Sequence, residues 1–137
     1  MSDIFSKKKR SQVMARIRSR GNAATELRLL RLLKTSDVTG WRRGYPLAGK
    51  PDFVFRRLRL AVFVDGCFWH GCPRCYNEPK SNRVFWRRKI ARNRERDLAV
   101  NRALRRAGWR VLRIWQHEFK RDSERSLMRR IQKALRP

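Results

Sequence analysis

Three cysteines crowd into nine residues of this chain, Cys67, Cys72 and Cys75, inside the stretch FVDGCFWHGCPRC at 63–75. They are all the cysteines it has, and they sit in a turn-rich segment with Gly66, Gly71, Pro73 and Pro79. A lone cysteine is most often a small buried hydrophobe. Three at C-x4-C-x2-C spacing point instead to a structural zinc, which takes four ligands in a tetrahedron. Three thiolates leave one place open. The chain has two histidines to fill it, His117 beyond the last apolar run and His70 within the stretch itself. Position favours His117.

A second group is acidic. Only 11 Asp and Glu residues occur, so two that bound apolar runs stand out: Asp52 opens DFVFR and Asp65 closes RLAVFVD. If those runs pair as strands, both carboxylates reach one edge of a sheet. Clustered carboxylate oxygens amid basic residues suit a Mg²⁺-dependent phosphodiesterase, in which hard ligands hold the metal and a water is activated for in-line attack. Glu26 can contribute from a neighbouring helix. The plainer alternative is turn chemistry, because Asp after Pro and Asp before Gly are common turn pairs.

The elements that must position these groups follow from periodicity. Apolar residues at Val13, Met14 and Ile17 predict a helix from Ser11, ended by Gly21-Asn22, with Asn22 as the cap of the next. That second helix carries Leu27, Leu29, Leu30, Leu32 and Leu33, with Glu26 in its dipole-favoured first turn. Residues 36–50 are turn-rich, with a short strand near 41–45. Runs 52–56 and 59–64 read as two strands joined by a short basic turn, an antiparallel hairpin. The second run is apolar almost throughout, as in a strand covered on both faces. A loop over 66–80 leads to a long basic helix over about 82–107, stopped by Gly108. A strand over 109–115 and an amphipathic helix over 122–135 complete the order. The expected fold is α/β, a small mixed sheet flanked by helices. Two regions are expected: a basic DNA-contacting segment over 1–20 and one domain over 21–137.

Charge narrows the partner. Lys and Arg number 37 and the net charge is +26. Such a surplus repels itself unless a polyanion neutralises it, and phosphate contacts with counterion release make nucleic acid the leading choice. An anionic membrane is the rival. The sequence holds no apolar run long enough to span a bilayer, and KKKR at 7–10 precedes an amphipathic segment rather than a signal-peptide core. The expected location is cytoplasmic, associated with the nucleoid. In that reducing setting cysteines serve metal or catalysis rather than disulfides.

Together these segments resemble the very short patch repair (mismatch) endonucleases. The residues that carry the resemblance are RSQVMARIRSR at 10–20, TELRLLRLL at 25–33, GKPDFVF at 49–55, FVDGCFWHGCPRC at 63–75, FW at 85–86, NRERD at 93–97 and GWRVLRIW at 108–115. The resemblance implies the PD-(D/E)xK restriction-endonuclease-like fold. It implies Mg²⁺-dependent cutting of one strand 5′ to the thymine of a T·G mismatch, with a structural zinc beside the active site. On it, Asp52 resembles the magnesium-binding aspartate and Glu26 a supporting glutamate. Val64 resembles the residue whose backbone carbonyl faces the metal, and His70 the catalytic histidine at the scissile phosphate. That assigns His117 to the zinc. Phe68, Trp69 and Trp86 resemble aromatics that wedge into the base stack, with Met14 entering from the opposite groove; a mismatched step is cheaper to unstack. Arg10, Arg16, Arg18 and Arg20 are expected phosphate contacts. The resemblance further implies a monomer and a functional link to a DNA cytosine methyltransferase.

Asp65 departs from the pattern, since mismatch enzymes can carry a histidine there. It is read as a metal ligand or a proton acceptor for water. Core packing is the plain alternative for the aromatics, less so for Phe68 and Trp69 in a Gly-flanked loop than for Trp86 on a helix. Three rival readings remain: a nuclease of the same fold acting on foreign or modified duplex, a non-catalytic zinc-stabilised DNA-binding protein, and a basic RNA-binding protein of the ribosomal kind.

Overall fold

The computed structural model describes residues 25–137. Its elements are α1 (Glu26–Thr35), β1 (Trp41–Arg42), β2 (Phe53–Phe55), β3 (Leu60–Asp65), α2 (Arg83–Arg106), β4 (Arg110–Trp115), a 3₁₀ turn (Gln116–Phe119) and α3 (Glu124–Ala134). The expected first helix, its Gly21-Asn22 break and the Asn22 cap lie outside the described residues. Thr25 occupies the cap position of α1, without a side-chain capping bond.

The sheet order is β1-β2-β3-β4. β2 and β3 form the expected antiparallel hairpin, with Phe53 opposite Val62 and Phe55 opposite Leu60. β3 and β4 run parallel from Leu60 opposite Arg110 to Asp65 opposite Trp115. A parallel pair needs a long crossover, and the 66–80 loop with α2 supplies it.

β3 is interior and all six of its residues are buried, which accounts for its unbroken apolar run. Its two faces pack differently. Leu60, Val62 and Val64 join Leu29 and Leu33 of α1 and Leu127 and Ile131 of α3. Ala61 and Phe63 face Leu104, Val100 and Trp109 on the α2 side. The sheet is thus sandwiched, with α1 and α3 on one face and α2 on the other.

Both helix ends that feed the sheet close by one device. Trp109 N–H donates to Leu104 O at 2.9 Å and Gly108 N–H to Arg105 O at 3.0 Å; Gly108 adopts φ +88°. This is the Schellman pattern, which needs a left-handed residue after the cap. It turns the chain at once into β4. α1 ends likewise, with Val38 N–H on Leu33 O at 2.9 Å and Asp37 at φ +55°. No helix among the described residues is long and apolar enough to cross a membrane.

Candidate functional site

β3 and β4 are parallel, so their C-terminal ends share one edge of the sheet. The segments that leave those ends therefore meet. After β3 comes the cysteine loop, and after β4 the 3₁₀ turn that carries His117. Ligand atoms of Cys67, Cys72, Cys75 and His117 all lie within 4.8 Å of one another. His117 Nδ1 is 3.5 Å from Sγ of Cys67 and 3.5 Å from Sγ of Cys72. Around a tetrahedral zinc with standard bond lengths, a sulfur and a nitrogen ligand stand about 3.6 Å apart. The donor set and its spacing therefore fit that metal. Burial, with the neighbouring Cys72 and Cys75, pushes the Cys67 thiol up to about 12 even though His117 pulls it down. Thiols so placed ionise on binding a cation.

A second cluster lies alongside, made of Asp65, His70 and Asp97. His70 Nδ1 contacts Asp97 Oδ2 at 2.5 Å and lies 3.8 Å from Asp65 Oδ1. That contact occupies Nδ1, and Nε2 is the ring nitrogen left for a ligand. Burial pulls the imidazole pKa down, but the Asp97 hydrogen bond and the charges of Asp65 and Asp97 outweigh it, and the net direction is up. Asp65 is 3 % exposed. Burial raises its carboxyl pKa, against the lowering pull of His70 and Arg113. Arg113 reaches in from β4: its Nη1 donates to both Asp65 oxygens at 3.0 and 3.2 Å.

Asp97 and Arg113 carry no role in the sequence reading, although NRERD and GWRVLRIW were both singled out. A signal for the first was present. Asn93, Asp97 and Asn101 recur every fourth residue of α2, a polar stripe on one helix face. The structure turns that stripe toward the site: Asn93 Nδ2 donates to Trp69 O at 2.9 Å, and Asn101 Oδ1 accepts from Arg113 Nε at 2.8 Å.

Asp52 belongs to neither cluster. It precedes β2 at the same end of the hairpin where Asp65 closes β3, and its Oδ2 accepts the Val64 N–H at 2.7 Å. In an extended strand a residue's own N–H and C=O point the same way. The Val64 carbonyl is therefore aimed to the side on which Asp52 sits, and both are hard oxygen donors of the kind magnesium takes. Asp65 stands apart from Asp52 because strand alternation and Arg113 turn its carboxylate toward α2. Glu26 is buried in the first turn of α1 and pairs with Arg43 at 3.3 Å.

The aromatics differ from expectation. Trp69 is 7 % and Trp86 6 % exposed, and Phe68 is half-buried. Their rings pack edge to face, Phe68 to Trp69 at 5.7 Å and Phe68 to Trp86 at 5.3 Å. The reason is the tight turn at Gly71, which folds the loop tip back onto the start of α2. The expectation that Phe68 and Trp69 escape the core holds only for part of Phe68. Trp69 Nε1 is buried without a hydrogen-bond partner among the described residues. Phe85, one residue before Trp86, is the exposed ring of the group. Met14, Arg10, Arg16, Arg18 and Arg20 lie outside the described residues.

Comparison with known proteins accords with this geometry. The family described as DNA mismatch endonuclease Vsr matches residues 2–77. The chain is 34% identical over 142 residues to the type II nicking enzyme V.NmeAIP of Neisseria meningitidis, covering 98% of this chain and 100% of that protein. It is 38% identical over 118 residues to the DNA mismatch endonuclease Vsr of Escherichia coli strain K12, covering 85% of this chain and 74% of that one. The type II nicking enzyme V.NaeI of Lentzea aerocolonigenes is 50% identical over 82 residues. That match takes in 60% of this chain and about half, 49%, of V.NaeI's own length.

Proposed function

The chain belongs to the DNA mismatch endonuclease Vsr family and is a DNA endonuclease; from that premise we propose that it nicks one strand 5′ to the thymine of a T·G mismatch, in a Mg²⁺-dependent hydrolysis. The observation that carries this reading is His70 fixed by Asp97 at the sheet edge where Asp52 is tied to Val64. Asp52 and the Val64 carbonyl would hold the magnesium, which would supply charge neutralisation and activation of a water.

The chain's own groups do the rest. The Val64 amide fixes the Asp52 carboxylate in one orientation before any ligand arrives. Asp97 holds His70 in one tautomer, so Nε2 faces the scissile phosphate. As an imidazolium, His70 pairs with charge developing on that phosphate and hands a proton to the leaving oxygen. Glu26 supports the site from α1. Cys67, Cys72, Cys75 and His117 hold zinc as a clamp that sets the loop bearing His70. Phe68, Trp69 and Trp86 form the wedge, which leaves its packed position when bases open. Residues 1–20 add phosphate contacts through Arg10, Arg16, Arg18 and Arg20, and Met14 enters the opposite groove.

End-labelled duplexes carrying each mismatch, incubated with Mg²⁺, test the reading. Cutting 5′ to T in T·G alone supports it. Cutting of fully paired DNA would instead mark a nuclease with another target. Asp52→Ala is expected to lower the single-turnover rate by at least about 10³-fold while duplex affinity changes little. An Asp52→Ala enzyme that nicks at the wild-type rate would remove Asp52 from the magnesium site.

A further inference from the structure

Arg113 makes more contacts to the His70 cluster than any role so far assigned requires. Its Nη1 donates to both oxygens of Asp65 and lies 3.7 Å from Asp97 Oδ1. Its Nη2 donates to the Asp97 backbone carbonyl at 3.4 Å, and its Nε to Asn101 Oδ1 at 2.8 Å. Its guanidinium stacks 4.1 Å from the centroid of the Phe63 ring. One side chain thus spans β4, the end of β3 and two turns of α2. Within WRVLRIW it is the arginine on the α2 side of β4, the edge strand that runs parallel to β3.

We propose that Arg113 is the positioning residue of the nicking site, holding Asp65 and Asp97 together as a fixed pair of acids so that Asp97 keeps His70 in its working orientation. This rests on the reading of His70 given above. Without Arg113, Asp65 is a buried carboxylate without that partner, facing a second carboxylate across His70. Two like charges at that separation push apart. That shifts Asp97, and with it the ring nitrogen that meets the phosphate. A displacement of about 1 Å in such a group costs up to about 10²-fold in rate. The flat, five-donor guanidinium suits the task because it serves two acids and an amide at once, which an ammonium cannot.

Three variants test this: Arg113→Gln, Arg113→Lys and the pair Asp65→Asn with Arg113→Gln. Each is measured, zinc-loaded, for single-turnover nicking of a T·G duplex, for duplex affinity, for thermal stability and for the proton NMR signal of His70 Nδ1–H. Arg113→Gln is expected to nick about 30- to 100-fold more slowly, with duplex affinity within about 3-fold because one charge of many is lost. Its Nδ1 proton should move from the strongly hydrogen-bonded downfield position. Arg113→Lys is expected to fold and to lose about 10-fold in rate. The double variant should recover thermal stability, since no lone carboxylate is buried, but not rate. Wild-type nicking and an unmoved Nδ1 proton in a folded Arg113→Gln or double variant would overturn the proposal. Should Arg113→Gln not fold, the lysine and double variants decide by the same two readouts. If the wild type nicks no mismatched duplex, the functional reading fails, and the Nδ1 signal alone decides whether Arg113 positions His70.

Discussion

His70 sits where burial and charge oppose each other. Burial disfavours its imidazolium, while Asp97 and Asp65 favour it more strongly, so its pKa rises above the ordinary 6.5. A raised folded-state pKa gives stability that is fully present below the unfolded value and is lost as pH rises through the folded one. The advantage of wild type over His70→Gln in melting temperature should therefore be larger at about pH 6, below the ordinary value of 6.5, than at alkaline pH. Zinc-loaded protein melted at both pH values checks this, and an advantage that grows with pH would contradict it. At this scale the sequence was partly legible. His70, Asp52 and the four zinc-type ligands are marked by residue type and family spacing. Asp97 shows only through the polar stripe on α2, and Arg113 looks like a solvent-facing residue in a strand until the crossover brings the two together. Asp65 was ambiguous for the same reason: its partner lies 48 residues away in the chain.

Elements that end at the same sheet edge explain how the loop acquires its shape. Between them, β3 and β4 deliver Cys67 and His117 to one place, but the 66–80 loop has no strand or helix of its own. Its rigidity must come from ligands and from packing on α2. Stripping the metal with a chelator is expected to lower the melting temperature by on the order of 10 °C, from the binding energy lost in a chain of this size, and metal analysis should find about one zinc per chain. An unchanged melt after removal would sink the clamp. Within this loop the tighter glycine is Gly71, where φ is +60° and an added Cβ would stand 2.5 Å from Ile90 Cγ2. Gly71→Ala should cost about 1–3 kcal/mol and slow nicking more than it weakens binding, since the shift falls on His70; equal losses would count against it. The order, the hairpin and the Gly108 stop were readable because each has a local signal. The 3₁₀ turn has none, and burial of Trp69 depends on contacts with α2 that the loop's glycines alone do not disclose.

Across the molecule, +26 of net charge sits on 137 residues. On α2, Arg83, Arg88, Arg92, Arg94 and Arg96 are all exposed, while the cluster around Asp65 is sequestered beneath the same helix. The two populations should respond to salt differently. Exposed arginines bind phosphates by releasing counterions, so affinity falls with the logarithm of salt concentration. Partly buried pairs such as Asp65–Arg113 are screened far less. Affinity for a fully paired duplex is therefore expected to drop at least about 10³-fold between roughly 50 and 200 mM salt. The single-turnover nicking rate on saturated T·G duplex should change by no more than about 3-fold over that range. Filter-binding and quenched-flow measurements on one preparation separate the two. A flat affinity plot would show that the surplus charge is not a DNA surface, and a rate that fell in step with affinity would show that the His70 cluster is open to bulk ions rather than held by Arg113.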